Sequence, residues 1–423
     1  MAQATIDELQ GLTTADGTPL RRALHRAERR AKIRAFLLVT PLLVFLAVTF
    51  IYPIAQMLWR SIYDDTIVTL LPNTVTAFKD WTDRDQLPPE SVFAAFAVDM
   101  KQTREDRTIG QVATRVNFEE GGLRSIFTRT ARHIDDAKNV TSWRDWFIQE
   151  NPDWGKLNTW ATIERLGHAY SILQYLAATD RQYDDHGNIV MAPEETQIYV
   201  PIFIRTLWMS LLVTLLTLLL GYPISYFLAT LPIRTSNLLM IMVLLPFWTS
   251  LLVRTTSWIV ILGKEGVLND ILVWLGLISD DGRIQMIYNQ TGTLVAMTQI
   301  LLPFMVLPLY SVMKTISPSY MRAAMSLGAP RFLAFWKVYA PNTLPGVGAG
   351  ALLVFILSIG YYITPALVGG RTGQMISNFI AFHMQKSLNW GLAAALGGIL
   401  LAGVLLLYAL YNRLVGVEKL SLG

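Results

Sequence analysis

Residues 35–59 pass through 25 positions without a charged side chain. At 1.5 Å per residue, such a run crosses the ~30 Å hydrocarbon core of a bilayer as a helix. Further apolar runs lie at 206–230, 237–262, 287–313, 341–367 and 392–413, and the only charges in them are Arg254 and the terminal Arg413. From Gly282 to Val417 there is no Asp or Glu at all. Hydrocarbon offers main-chain N–H and C=O groups no partner, so each run must close its own hydrogen bonds as a helix. The sequence therefore predicts an all-α integral membrane protein with six transmembrane helices. A mean hydropathy of +0.39 with only 16% charged residues is too apolar for a soluble chain of this length.

Charge sets the expected topology. Between Arg21 and Arg34 seven basic residues face one acid, Glu28, which predicts a cytoplasmic N-terminal arm at 1–34. Ile51-Tyr52-Pro53-Ile54-Ala55-Gln56 holds no small-x-small cleavage site, so 35–59 reads as an uncleaved first span. Six spans put both termini inside, including a tail at 416–423. The positive-inside bias also accounts for the net charge of +4 without invoking nucleic acid.

Residues 60–200 are different: 22 acidic residues stand against 15 basic ones, with five of the twelve tryptophans. Trp143, Trp146, Phe147, Trp154, Trp160, Leu166, Tyr170 and Leu173 recur at helical spacing. A stretch of this length can bury a modest core, so we expect a partly helical, folded insertion between helices 1 and 2, outside the cytoplasm. Its aromatic residues read first as core. A cationic cage is the competing reading, because aromatic faces and carboxylates both attract ammonium groups; a dock for a soluble protein needs only its surface.

At 317–338 a short hydrophilic segment interrupts the apolar region. Ser317 is placed as an N-cap with Pro318 at the first helical position. Gly328 suits the left-handed position after the helix, and Pro330 is expected to open a second short helix. Lys314, Arg322, Arg331 and Lys337 give this elbow only positive charge, which assigns it to the cytoplasm. Arg322-Ala323-Ala324, three residues, Gly328, nine residues, Val338-Tyr339-Ala340-Pro341 resembles the coupling motif of ABC importer permeases, EAA, three residues, G, nine residues, I-x-L-P. Arg322 replaces the usual Glu and Ala340 the usual Leu. Gly221-Tyr222-Pro223-Ile224-Ser225-Tyr226-Phe227-Leu228-Ala229 and Leu245-Pro246-Phe247-Trp248-Thr249-Ser250-Leu251-Leu252-Val253-Arg254-Thr255 resemble the spermidine/putrescine branch of that family. The likeness covers about 36–60 and 201–415 and omits the insertion.

The resemblance implies a bacterial inner-membrane subunit that pairs with a second homologous permease, two ATP-binding cassette subunits and a periplasmic solute-binding protein. It makes 201–415 the transmembrane domain and 60–200 periplasmic. It also implies that the elbow docks on the ATPase through Ser317, Pro318, Arg322, Ala323, Ala324, Gly328, Pro330, Arg331 and Pro341. The expected substrate is a polyamine or a related small organic cation, with an opine or other amino-acid derivative, or ferric iron, as alternatives.

The residues themselves argue against enzymatic chemistry. There is no phosphate-binding G-x-x-x-x-G-K-[ST] loop, no G-x-S-x-G elbow, no cysteine and no paired histidine spacing, so no catalytic, cofactor or metal residues are assigned. Ion-coupled transport would call for acids or histidines within the spans, and none is there. A ligand-binding membrane receptor is the remaining alternative. Arg254 lies deep within an apolar run, where a charge costs at least about 2.5–3.5 kcal/mol, so it must meet a polar cavity or helix carbonyls. Trp248, Thr249, Arg254, Tyr361, Tyr362 and Thr364 are the candidate lining of a translocation path.

Overall fold

The structure, a computed structural model, describes residues 20–137, 140–184 and 187–415, apart from the side chains of 20–27, 30, 414 and 415. The tail at 416–423 and residues 1–19 of the basic arm lie outside the described residues. The chain divides after Arg60 into two units. In the first, α1 (Leu20–Leu46) runs through a π turn at Ala47–Ile51 into α2 (Tyr52–Arg60). Ala31–Arg60 is long and apolar enough to cross a membrane. Pro41 lies inside this helix without breaking it.

The second unit opens with the insertion. Eight short helices follow one another: α3 (Thr66–Leu70), α4 (Pro72–Ala77), α5 (Glu90–Glu105), α6 (Ile109–Glu119), α7 (Leu123–His133), α8 (Trp143–Glu150), α9 (Leu157–Leu166) and α10 (Leu173–Ala178). A hairpin of β1 (Arg181–Tyr183) and β2 (Ile189–Met191) then closes the insertion with Arg181 opposite Met191, and an isolated bridge pairs Tyr63 with Tyr170. Phe93, Phe96, Phe127, Phe147, Trp154 and Trp160 are fully buried in one cluster. The Trp154 indole N–H donates to Thr130 Oγ1 at 2.9 Å and that of Trp160 to the Trp154 carbonyl at 2.8 Å, so each buried ring has its polar atom satisfied. Partly buried Trp143 is covered by the Lys101 ammonium, 5.1 Å from the ring centroid, and buried Trp81 by the Arg84 guanidinium at 4.4 Å. These phenylalanines and tryptophans pack in the core or under the protein's own cations, while Tyr170 is 62% exposed.

Asp180 joins the insertion to the membrane region. One carboxylate oxygen accepts from the N–H groups of Ile198 and Tyr199 at 3.1 and 2.9 Å, and the other from Val200 at 2.7 Å. Those N–H groups belong to the first turn of α11 (Tyr199–Thr230), where a helix has no partners of its own. A negative charge at this end also suits the helix dipole. Ala178, Tyr199, Ile202, Ile376, Leu392, Ala395 and Leu396 form the apolar cluster around the joint. The helix thus starts at Tyr199, and the expected boundary at 200/201 moves upstream by a turn's fraction.

The remaining helices are α12 (Ile233–Leu244), α13 (Leu251–Leu262), α14 (Val267–Trp274), α15 (Gln290–Thr315), α16 (Pro318–Ser326), α17 (Arg331–Ala334), α18 (Ala340–Gly360), α19 (Ile363–Val368), α20 (Ile376–Gln385) and α21 (Trp390–Val415). α11, α15 and α18 pack on one another as the centre of the bundle. Glycine permits the approach: a Cβ on Gly221 would sit 3.1 Å from Met305 Cγ, and one on Gly350 2.8 Å from Met305 Sδ. Small residues at such crossings let backbones come close where lipid supplies no hydrophobic drive.

Two expected spans differ from prediction. The run at 237–262 is a broken pair, Ile233–Trp248 and Leu251–Trp274, bent by 95°. Pro246 and the extended Thr249 and Ser250 stop the first half, and the two halves qualify as a span only when taken together. The run at 341–367 belongs to a helix that starts earlier, at Arg331, and ends at Gly360, with Tyr361 and Tyr362 non-helical before α19. Among the described residues five helices can cross a membrane, or six with the broken pair counted as one.

His383 in α20 is buried, with Nε2 2.8 Å from the Tyr199 hydroxyl and Nδ1 2.8 Å from Ser387 Oγ. Burial holds its pKa below the usual imidazole value of 6.5. The unfolded chain therefore takes up the proton first, so this contribution to stability is complete above pH ~6.5 and is lost as pH falls through that range. Thermal unfolding in detergent should show a fall in Tm from pH 7 to 5 that is shallower in His383→Gln. Asp180→Ala should cost about 2 kcal/mol in the same assay, and Asp180→Asn, which keeps an acceptor, about half as much.

Candidate functional site

The elbow is built by its local sequence. Ser317 Oγ accepts from the Ser319 N–H at 3.3 Å, and Pro318 opens α16 at a position that needs no donor. At the other end the Gly328 N–H donates to the Met325 carbonyl at 3.0 Å and the Ala329 N–H to Ala324 at 3.1 Å. Together with φ of +91° at Gly328, this is the paired bonding of a Schellman turn. No residue of α16 is buried. Arg322, Ala323, Gly328, Pro330, Arg331 and Pro341 are exposed and Ala324 half-buried, with Leu327 90% and Phe332 75% exposed beside them. Arg322, Arg331 and Lys337 make no ion pair among the described residues.

The second short helix expected after Pro330 is the first turn of a long one. Arg331–Gly360 continues through a π turn at Phe335–Tyr339. Pro341 cannot bond the carbonyl four residues back, and the wider turn takes up the mismatch; Asn342 Nδ2 donates to the Val338 carbonyl at 2.6 Å. Above the elbow, Phe335 meets Tyr226 edge-on at 5.4 Å and stacks on Tyr339 at 5.7 Å, while Tyr222 hydrogen-bonds Thr343 at 3.1 Å. These rings fasten the start of the Arg331–Gly360 helix to the last turns of α11.

The elbow and the insertion occupy opposite ends of the bundle. Lys314 Nζ reaches the Ala229 carbonyl at 3.4 Å, so α15 ends where α11 ends, whereas Asp180 caps the start of α11. The 32 residues of α11 separate the two by ~48 Å.

The candidate path residues gather at two helix breaks. Trp248 is 75% exposed and Thr249 and Ser250 are open at the first; Tyr361 and exposed Tyr362 form the second. α13 packs on α19, which brings the breaks together. Arg254 lies one turn into α13. Its Nε and Nη1 are buried without a hydrogen-bond partner, as are the hydroxyls of Thr364, Ser210, Thr298 and Ser358.

Residues 218–416 match the family of binding-protein-dependent transport system inner membrane components. The spermidine/putrescine transport system permease protein PotB of Salmonella typhimurium is 35% identical over 53% of this chain and 78% of its own length. PotB of Escherichia coli K12 is 35% identical over 52% and 80%. This chain belongs to the binding-protein-dependent permeases of ABC importers. The inner membrane ABC transporter permease protein YdcU of Escherichia coli is a further relative, 30% identical over 52% of this chain and 73% of its own length. The permease is a multi-pass inner-membrane transport subunit and not an enzyme; ATP hydrolysis belongs to a partner ATPase.

The family match contains the elbow and both breaks and leaves out residues 61–198. The sequence marks the elbow's turn and caps but gives no sign of Asp180, the Phe335–Tyr226 contact, or the hydroxyls of Ser210, Thr298 and Ser358. Those three are polar residues on helices with no local mark to set them apart. Gly328 has open space for a Cβ, so a substitution there is felt only through the backbone. Gly328→Val should cost about 1–2 kcal/mol and Gly328→Asn clearly less. Amide hydrogen exchange should accelerate at 325–330 in the valine variant.

Proposed function

We propose that this permease is one half of the pore of an ATP-driven importer of polyamines such as spermidine and putrescine, or a related small organic cation. The other half is a second homologous permease, with two ATP-binding cassette subunits and a periplasmic solute-binding protein completing the assembly. Both termini and the elbow are cytoplasmic, and residues 60–200 are periplasmic. The observation that carries this reading is an exposed, acid-free elbow with apolar residues at its tip, at the end of the bundle opposite the insertion. The names of the relatives at 35% identity point to the substrate class.

In this reading α16 lies in a groove of the ATPase, where Ala323 and Ala324 allow close approach. The Schellman turn at Gly328 and Pro330 fixes the angle, so a rigid movement of the ATPase tilts the helix that begins at Arg331. Arg322 asks for an acidic contact on that groove. No acid lies within the spans, so a cation passes over aromatic faces, hydroxyls and carbonyl oxygens. Selection then rests largely with the binding protein.

In proteoliposomes holding the whole assembly, Gly328→Asp should lower ATP-driven uptake at least tenfold while membrane insertion persists; uptake at the wild-type rate refutes the docking role. Putrescine or spermidine should raise the Tm of the partner binding protein more than an opine or ferric iron does. A larger shift with either competitor reassigns the substrate and leaves the architecture in place.

A further inference from the structure

Two anomalies share one place on the permease. Phe247, Trp248, Thr249 and Ser250 are exposed, and the last two are not helical, although they lie within a membrane-spanning run. Irregular backbone at membrane depth is tolerated where protein or a water-filled cavity covers it, and not against lipid. Four residues on, Arg254 has two guanidinium nitrogens sheathed by the chain and no partner for either. The chain cannot supply a counter-charge from its spans: no Asp or Glu occurs between Gln197 and Lys264 or between Gly282 and Val417. Enclosing two nitrogens of a partly buried guanidinium without partners is costly, and a group outside this chain can supply the compensation its spans do not. Leu252 and Val253 beside it are 57% and 59% exposed, an apolar rim open for contact around a partly buried cation.

We propose that this face, from Phe247 to Arg254 with Tyr362 beside it, closes against the second permease subunit, and that a carboxylate of that subunit pairs with Arg254. This rests on the importer reading above. A lipid phosphate is the weaker occupant, because it would leave the exposed backbone of Thr249 and Ser250 facing hydrocarbon. The pairing fixes the register of the two halves and keeps the arginine's charge from repelling a cationic substrate.

The test uses the full chain alone in detergent and the assembled complex. In the isolated chain Arg254 carries an uncompensated charge, so Arg254→Met should leave Tm unchanged or raise it; a clear fall in Tm reveals a partner within the chain and overturns the proposal. In the complex, Arg254→Glu should lower co-purification of the second permease at least tenfold. Changing one carboxylate in that subunit's spans to arginine should then restore it to within twofold of wild type. Undiminished co-purification of Arg254→Glu, or a loss that no such exchange repairs, overturns the proposal and leaves the importer reading intact. If the wild-type chain captures no second permease at all, the importer reading itself fails.

Discussion

Hydrogen-bond closure of the main chain in a solvent that offers no partners governs the membrane part of this permease. Five long helices satisfy the requirement internally. Two prolines, Pro303 and Pro308, sit in α15, the most enclosed of the spans, where neighbouring helices rather than lipid surround the bends. The requirement is relaxed at only a few points among the described residues, chiefly Phe247–Ser250, the π turn at Phe335–Tyr339, and Tyr361–Tyr362. At the last of these the loose carbonyls are taken up by side chains, Ser377 Oγ donating to Tyr361 at 2.6 Å and Asn378 Nδ2 to Tyr362 at 2.7 Å. The first break has less: Thr249 Oγ1 and the Thr249 N–H turn back to Pro246, and its outer face stays open.

The insertion obeys a different solvent. Its core is an ordinary aqueous core of phenylalanine and tryptophan, and Arg115, 8% exposed, is held between Asp64 and Glu119. Such a pair would be costly in hydrocarbon and is tolerable near water, where its outer atoms stay solvated. The two regimes meet at Asp180. One carboxylate satisfies three N–H groups at the top of α11, where neither water nor a preceding helical turn is available to do so. Its backbone is left-handed, φ +54°, a conformation that aspartate tolerates better than most side chains.

What the sequence revealed follows from how local each signal is. Runs of uncharged residues are local, and so is an N-cap serine directly before the proline that opens its helix. A proline is not decisive: Pro41, Pro223, Pro303, Pro308 and Pro345 all lie within continuous helices, while Pro246 stands at a break. The difference at Pro246 comes from the two extended residues that follow it, Thr249 and Ser250, which read from sequence like any polar pair near a span end. The helix after Pro330 reads as short because Pro341 ends most helices, and only the packing of Phe335 on Tyr226 and the Asn342 side-chain bond let it continue. Asp180 carries no local mark of its role because the groups it serves lie 18 to 20 residues further on.

The long helix from Arg331 to Gly360 gives the fold a mechanical consequence. Its lower end is fastened to α11 by Phe335, Tyr339 and the Tyr222–Thr343 bond, and its middle is pressed through Gly346 and Gly350 against α15. Glycine contacts against Val312 and Met305 leave little room for sliding, so a displacement entering at the elbow is carried along the axis rather than absorbed. At 1.5 Å per residue its thirty residues extend ~45 Å, and they end before Tyr361, where the helix stops and the chain turns into α19, which packs on α13. A few degrees of tilt about the glycine crossing move that far end by ~1–2 Å, the scale on which packed interfaces switch from one arrangement to another. The break at Tyr361 is where such a tilt can be taken up without opening hydrogen bonds along the helix, which gives a physical reason for the chain to be discontinuous there and intact below.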